Sequence, residues 1–151
     1  MTVKTHAQAV VIGGGVIGCS ILYHLTKLGW RDVILLERDE LTSGSTWHAA
    51  ANIHGLHDST NISRIQHYTM NLYKELEAET GQGCGVFQPG SLYLAQTENR
   101  SHQLRLQAAK ANLYGMNFSE VNRKQAEELH PLVNYDGIRT IMWEPDGGNV
   151  D

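Results

Sequence analysis

The stretch VVIGGGVIGCSILYHLTKLGWRDVILLE, residues 10–37, reads as strand, glycine turn, helix and strand. Ala9 to Ile12 is a short run rich in β-branched residues, which predicts a buried strand. Ile17, Ile21, Leu25 and Leu28 recur at spacings of four, four and three, an apolar stripe along one helix, and Gly29 is placed to end it. Val33 to Glu37 is again an uninterrupted apolar run closed by an acid, as in a parallel sheet covered on both faces. Elements in this order begin a doubly wound α/β sheet.

The glycines lie in the pattern Gly13-x-Gly15-x-x-Gly18, and Glu37 follows nineteen residues after the last of them. The first glycine permits the tight strand-to-helix turn, the second lets main chain approach a pyrophosphate, and the third brings helix and strand together. The free amides and positive dipole end of the helix then face phosphate, with Val16 and Ile17 in its first turn. Glu37, at the end of the second strand, is placed to accept ribose hydroxyls, with Arg38 beside it at the adenosine. A strand before the pattern, a helix after it and an acid at this distance make a dinucleotide site the expectation. FAD and NAD share the adenosine and pyrophosphate, so the pattern alone leaves both open.

Downstream, LTSGST (41–46) is turn-like and WHAAAN follows it. Ile62, Ile65, Thr69, Leu72 and Leu76 predict an amphipathic helix over 59–79, capped by Asp58 or Ser59, with Lys74, Glu75, Glu77 and Glu79 on its wet face. SLYLA (91–95) alternates as a strand, 98–114 is helical, and Asn122 with Gln125 forms a capping box ahead of Pro131. Residues 138–143 predict another strand, and EPDGGNVD a closing turn.

The 151 residues are 41% hydrophobic and 19% charged with 15 glycines, an ordinary globular composition that argues against disorder or a fibrous repeat. A formal charge of −4 without a Lys/Arg cluster argues against nucleic acid. Cys19 and Cys84 are too few for a disulfide framework and suit a reducing compartment. VIGC, ending at Cys19, imitates a lipoprotein cleavage site, but three glycines interrupt the apolar helix that export needs. No segment is long enough to span a bilayer, and a cytoplasmic chain is the expectation.

The stretch 10–37 is similar to the FAD version of the fingerprint found in flavoprotein oxidoreductases, with Gly14, Leu25 and Gly29 contributing to the likeness. LTSGSTWHAAANIHG, residues 41–55, resembles the segment after the ribose-binding acid in the D-amino-acid-oxidase-like flavoenzymes, most closely the dimethylglycine and sarcosine dehydrogenase group. The likeness continues through KELEAETGQ, FQPGSLYLA and EPDGGNVD, and so covers nearly the whole chain. Ala51 and Asn52 depart from it, standing where the group has a single Ala-Gly-type step.

The resemblance implies an α/β chain: a Rossmann-like FAD-binding βαβ start over residues 1–82, then the first part of a mixed α+β substrate domain over 83–151. It also implies a fragment, because GGNVD stops where such a chain turns back into its cofactor domain, and weak or no activity is expected of these residues alone. The cofactor implied is FAD, contacted by Gly13, Gly15, Val16, Ile17, Gly18, Glu37 and Arg38. Gly44, Ser45, Thr46, Trp47, Ala49, Ala50, Ala51 and Asn52 would run along the isoalloxazine, and His48 would be joined covalently to the flavin 8α-methyl. The implied reaction is hydride transfer from an N-methylglycine, dimethylglycine or sarcosine, to give an iminium that water or a folate captures. A eukaryotic member of the group would act in the mitochondrial matrix.

Chemically, a neutral imidazole is a competent nucleophile near neutral pH, and an oxidised isoalloxazine becomes electrophilic at its 8α-methyl. The ordinary reading of His48 is a histidine bonded to nearby main chain. Cys19, in the first turn of the phosphate helix, has the plain alternative of a small buried residue. His54 and His57, beside Asp58, are spaced as metal ligands, but no third ligand follows, and no metal is expected. A silent dinucleotide-binding module and an NAD-dependent dehydrogenase remain the two other readings.

Overall fold

Strand β1 (Ala9–Ile12) runs parallel to β2 (Val33–Leu36), with Ala9 opposite Val33 and Ile12 opposite Leu36, and helix α1 (Val16–Lys27) connects them. The structure, a computed structural model, describes residues 5–55 and 57–151. The chain divides into two compact units, Met1–Ala50 and Ala51–Asp151.

In the first unit the predicted order of elements is observed, and Gly29, with φ +91°, ends α1 as expected. The depth of burial differs from the expectation. Val11 is buried, but Val10 is 50% exposed, Ile12 85% and Leu36 53%. The apolar runs suit a sheet covered on both faces, and among the described residues this sheet has two strands with one helix packed on it. The helix also presents a different face. Gly18 is buried, Leu22 and Leu25 are half-buried, and Ile17, Ile21 and Leu28 are exposed. The contact runs through Gly18, where a Cβ would overlap the Gly13 carbonyl, so close approach of main chain sets the rotation of α1 rather than its bulkiest stripe.

The second unit holds two small sheets. Strand β3 (Asn52–Ile53) and β4 (Val86–Phe87) flank β8 (Gly148–Val150), while β5 (Ser91–Ala95) and β6 (Ser119–Glu120) flank β7 (Thr140–Glu144), all antiparallel. Helices α2 (Thr60–Thr80), α3 (Glu98–Leu113) and α4 (Arg123–Leu129) complete it. The core packs Ala95, Leu104, Ala108, Phe118 and Met142 together, with a second cluster around Ala126, Tyr135 and Ile141.

The expected strand 91–95 is found, and the Asn122–Gln125 capping box is formed in both directions. The closing EPDGGNVD is not all turn: Gly148–Val150 is a strand, because β3 and β4 supply partners from more than sixty residues away. Helix α2 buries Ser63, Met70 and Leu72; the expected stripe turns inward at Thr69, Leu72 and Leu76, but Ile62 and Ile65, in its first turns, are exposed. Of the two expected caps, Ser59 holds the N-cap position of α2, without a side-chain bond to it, and the Asp58 carboxylate accepts from Gln107 on α3. Glu77 is not on a wet face either: half-buried, it accepts from the Cys84 amide at 2.6 Å. No helix among the described residues is long and apolar enough to cross a membrane.

Candidate functional site

The turn between β1 and α1 is built from main chain. Gly13, at φ +103°, takes a left-handed conformation that a side chain would strain, and its amide donates to Leu36 O at 2.8 Å, holding the turn on β2. The first bond inside α1 is Cys19 N to Gly15 O at 2.9 Å. The amides of Val16, Ile17 and Gly18 therefore lie ahead of the helical ladder and point out of its N-terminal end. Gly15, the N-cap residue, has no side chain to satisfy them. Thr46 takes one of the three from thirty residues downstream, its Oγ1 accepting from Val16 N at 2.9 Å.

Glu37 is held by three amides. Gly14 N donates to one carboxylate oxygen at 2.6 Å, and Arg38 N and Asp39 N donate to the other at 2.6 and 3.1 Å. The Gly14 bond first, then those from Arg38 and Asp39, hold this carboxyl below its ordinary value. The acid that follows β2 is thus tied to the glycine turn and stays charged near neutrality. Cys19 is half-buried and its thiol donates to Gly14 O at 3.4 Å, which fits the plainer reading of that residue.

Residues 41–50 fold into a chain of turns against this site. Thr42 N donates to Gly14 O, Trp47 N to Thr42 O, and Ala49 N to Thr46 O. His48 Nδ1 lies 2.9 Å from Gly44 O. A carbonyl only accepts, so in the neutral ring Nδ1 carries the proton and Nε2 the lone pair. The Trp47 ring is 76% exposed and stands edge-on to His48 at 6.4 Å.

A groove of about 760 Å³ opens over the turn. Gly13, Gly15, Val16, Ile17 and Gly18 form one wall, Glu37 and Arg38 another, and Gly44, Ser45, Thr46 and Ala49 a third. Trp47, His48 and Ala50 are in the same unit but do not line it. Ala51 and Asn52 belong to the second unit, where Ala51, at φ +55°, accepts from Val150 N and Asn52 pairs with Asn149. A dinucleotide fits these residues on their own chemistry. The groove has main-chain donors at a helix start, a charged acid at its side, and a Gly15 whose Cβ would stand 2.9 Å from Thr46 Oγ1.

Two features escape sequence reasoning. Thr42, at φ +67°, anchors the 41–50 turns to Gly14, which no local pattern announces. In the second unit Glu144 is 2% exposed, accepting from Gly55 N and from Tyr93 Oη, each at 2.6 Å. Burial pushes its carboxyl above the ordinary value against the pull of those bonds, and burial with the neighbouring Glu144 pushes the Tyr93 phenol up. A lone Glu before Pro145 gives no hint that it is buried. His54 Nδ1 is buried without a hydrogen-bond partner among the described residues, and His57 Nδ1 accepts from Ser59 N, so the two imidazoles serve separate environments.

The family described as "DAO: FAD dependent oxidoreductase" matches residues 8–151. Dimethylglycine dehydrogenase of Rattus norvegicus mitochondria is 42% identical over 148 residues, which is 98% of this chain and 17% of that protein. The mitochondrial pyruvate dehydrogenase phosphatase regulatory subunit of Mus musculus is 36% identical, covering 99% of this chain and 17% of its own length. Mitochondrial sarcosine dehydrogenase of the same species is 36% identical, covering 96% and 16%. Among solved structures, an L-proline dehydrogenase from P. horikoshii superposes with a TM-score of 0.89 at 25% identity, over 99% of this chain and 39% of that one. The chain therefore spans about a sixth of the length of these curated relatives. With the βαβ start, the glycine turn and the acid after β2 in place, the chain belongs to the DAO family of FAD-dependent oxidoreductases.

Proposed function

We propose that this chain is the N-terminal part of an FAD-dependent amine dehydrogenase or oxidase that demethylates N-methylglycines, with the flavin joined to His48. The observation that carries the substrate class is the 42% identity to a dimethylglycine dehydrogenase across 98% of the chain. In this reading residues 1–82 start the cofactor domain and 83–151 start the substrate domain. Folate capture of the released one-carbon unit would belong to further domains, and a eukaryotic protein of this kind would work in mitochondria.

When bound, the flavin supplies the hydride acceptor for the N-methyl C–H bond. The residues of this chain bind and orient it. The Ile17 and Gly18 amides and the α1 dipole would meet the pyrophosphate, beside the Val16 amide that Thr46 Oγ1 already holds. Glu37 would meet the ribose; a carboxylate has about four acceptor sites, and three are filled by amides, so its grip there is through the remaining capacity. His48, with its proton held on Nδ1 by Gly44 O, offers Nε2 as the attachment atom.

The test uses the chain expressed with any coding sequence that continues its frame. Yellow colour that stays with acid-precipitated protein, and is absent from His48→Ala, supports the linkage; colour that leaves with the supernatant removes the linkage and keeps FAD. Bleaching by dimethylglycine or sarcosine under anaerobic conditions supports the substrate class. A flavin that neither amine reduces would favour the second reading, a non-catalytic module, which the 36% identity to a regulatory subunit brings into view.

A further inference from the structure

The segment that carries His48 is tied to the phosphate-binding turn at two points. Thr42 N donates to Gly14 O at 3.0 Å, and Thr46 Oγ1 accepts from Val16 N at 2.9 Å. Between these ties the segment closes on itself through Trp47 N to Thr42 O at 3.1 Å and Ala49 N to Thr46 O at 3.2 Å. His48 sits inside that closed turn with its Nδ1 on Gly44 O. The Thr42 tie is main chain to main chain. The Thr46 tie runs through a side-chain hydroxyl, two residues from the imidazole, onto the first amide of α1.

We infer that Thr46 is a positioning residue for attachment of the flavin to His48: its hydroxyl holds the His48 segment on the first amide of α1, so the helix end facing the pyrophosphate also sets where Nε2 stands. The inference rests on the FAD and His48 reading above. The hydroxyl accepts from Val16 N–H through a lone pair and keeps its own proton, which suits a phosphate oxygen at the same helix end. A β-branched side chain holds that oxygen in few rotamers, so the tie is stiff. In the attachment a bond forms between Nε2 and the 8α carbon as one C–H bond of that methyl breaks. That proton and the Nδ1 proton of the alkylated ring would leave to solvent, and the electron pair would pass through the flavin ring to dioxygen, which with two protons gives hydrogen peroxide.

The test follows acid-stable flavin against time after adding FAD to apo-protein, the chain being expressed with any coding sequence that continues its frame. Wild type, Thr46→Ser, Thr46→Val and His48→Ala are compared over a range of FAD concentrations, which separates half-saturation from the limiting rate. Valine keeps the shape of threonine without the hydroxyl, and serine keeps the hydroxyl. Small misplacements of reacting atoms cost about tenfold to a hundredfold in rate. The expected result is a limiting rate at least about tenfold lower for Thr46→Val, recovery with Thr46→Ser, and no attachment in His48→Ala. A Thr46→Val protein that changes only in half-saturation makes Thr46 a simple cofactor contact and overturns the inference. One that no longer binds flavin at all makes it a structural cap, with the same consequence. If wild type holds no acid-stable flavin, the His48 reading fails and takes this one with it, an outcome distinct from both variants attaching at the wild-type rate.

Discussion

Two carboxylates, one in each unit, are held in opposite ways. Glu37, in the first unit, lies at an open groove where three amides stabilise its negative charge, and its carboxyl is held below the ordinary value. Glu144, in the second, is enclosed with one amide and one phenol, and burial holds it above. The units differ in the same sense. The first leaves Ile12, Ile17, Leu36 and Trp47 exposed around main-chain donors, whereas the second closes Leu104, Met142 and Ala126 into cores. An acid that must meet a ligand is stabilised by donors without being covered. An acid that joins two segments is covered, and depends on every donor it has.

The sharpest break of this contrast is Gly18→Ala. Its Cβ would overlap the Gly13 carbonyl, main chain that cannot rotate away, so a loss of about 3 kcal/mol or more is expected in the first unit. Flavin binding should go with it, while the second unit, followed by Trp143 fluorescence, should melt as before. Wild-type flavin affinity in that variant would remove the close-approach argument. Glu144→Ala is next, since it leaves the Tyr93 hydroxyl and the Gly55 amide buried without an acceptor. About 2–3 kcal/mol of the second unit's stability should be lost. Glu144→Gln, which keeps one acceptor, should lose clearly less; equal losses would mean the charge itself matters.

The pH responses should run in opposite directions. Glu37 is depressed in the folded chain, so its contribution is present above the ordinary carboxylate value and fades as pH falls through the folded one. Glu144 is raised, so its contribution is full below the ordinary value and fades as pH rises through the folded one. Carboxyl carbon shifts followed by NMR across the acid range would show the two midpoints on either side of a model carboxylate; midpoints on the same side would end the comparison. Thr97→Ala removes the acceptor for Arg100 N at the start of α3 and should cost about 1 kcal/mol in thermal denaturation. The smallest effect is Glu120→Gln, which breaks the half-exposed pair with Arg105 and should change stability by no more than about 0.5 kcal/mol.

Legibility in the sequence followed the range of the interactions. The capping box of Asn122 and Gln125 is a three-residue device, and it is found as read. Strand β5 is local alternation between turn signals, and its limits match. Strand β8 depends on β3 and β4, each only two residues long, and no periodicity marks pairs so short and so distant. The rotation of α1 and the facing of the first turns of α2 also escaped, because an apolar stripe says which face is oily and not which face meets a neighbour. At Gly18 a bare backbone approach decided the matter, and at Ser63 a small polar residue turned inward. At the site, the glycines and Glu37 were legible as a motif. The ties from Thr42 and Thr46 onto the turn were not, since they join residues about thirty positions apart.

The sequence by itself determined the βαβ start, the glycine turn with its acid, and the family to which they belong. These follow from short-range chemistry: glycine's freedom at φ +103°, helix donors ahead of the first intrahelical bond, and a carboxylate at a fixed spacing. The tertiary structure alone decided that Glu37 is bound by three amides, that Glu144 is buried against Tyr93 and Gly55, and that Thr46 accepts from the first amide of α1. Apart from the local Arg38 and Asp39 amides on Glu37, each of those is a bond between segments distant in the chain, and its energy depends on where the fold brings donor and acceptor together and how much water it leaves between them.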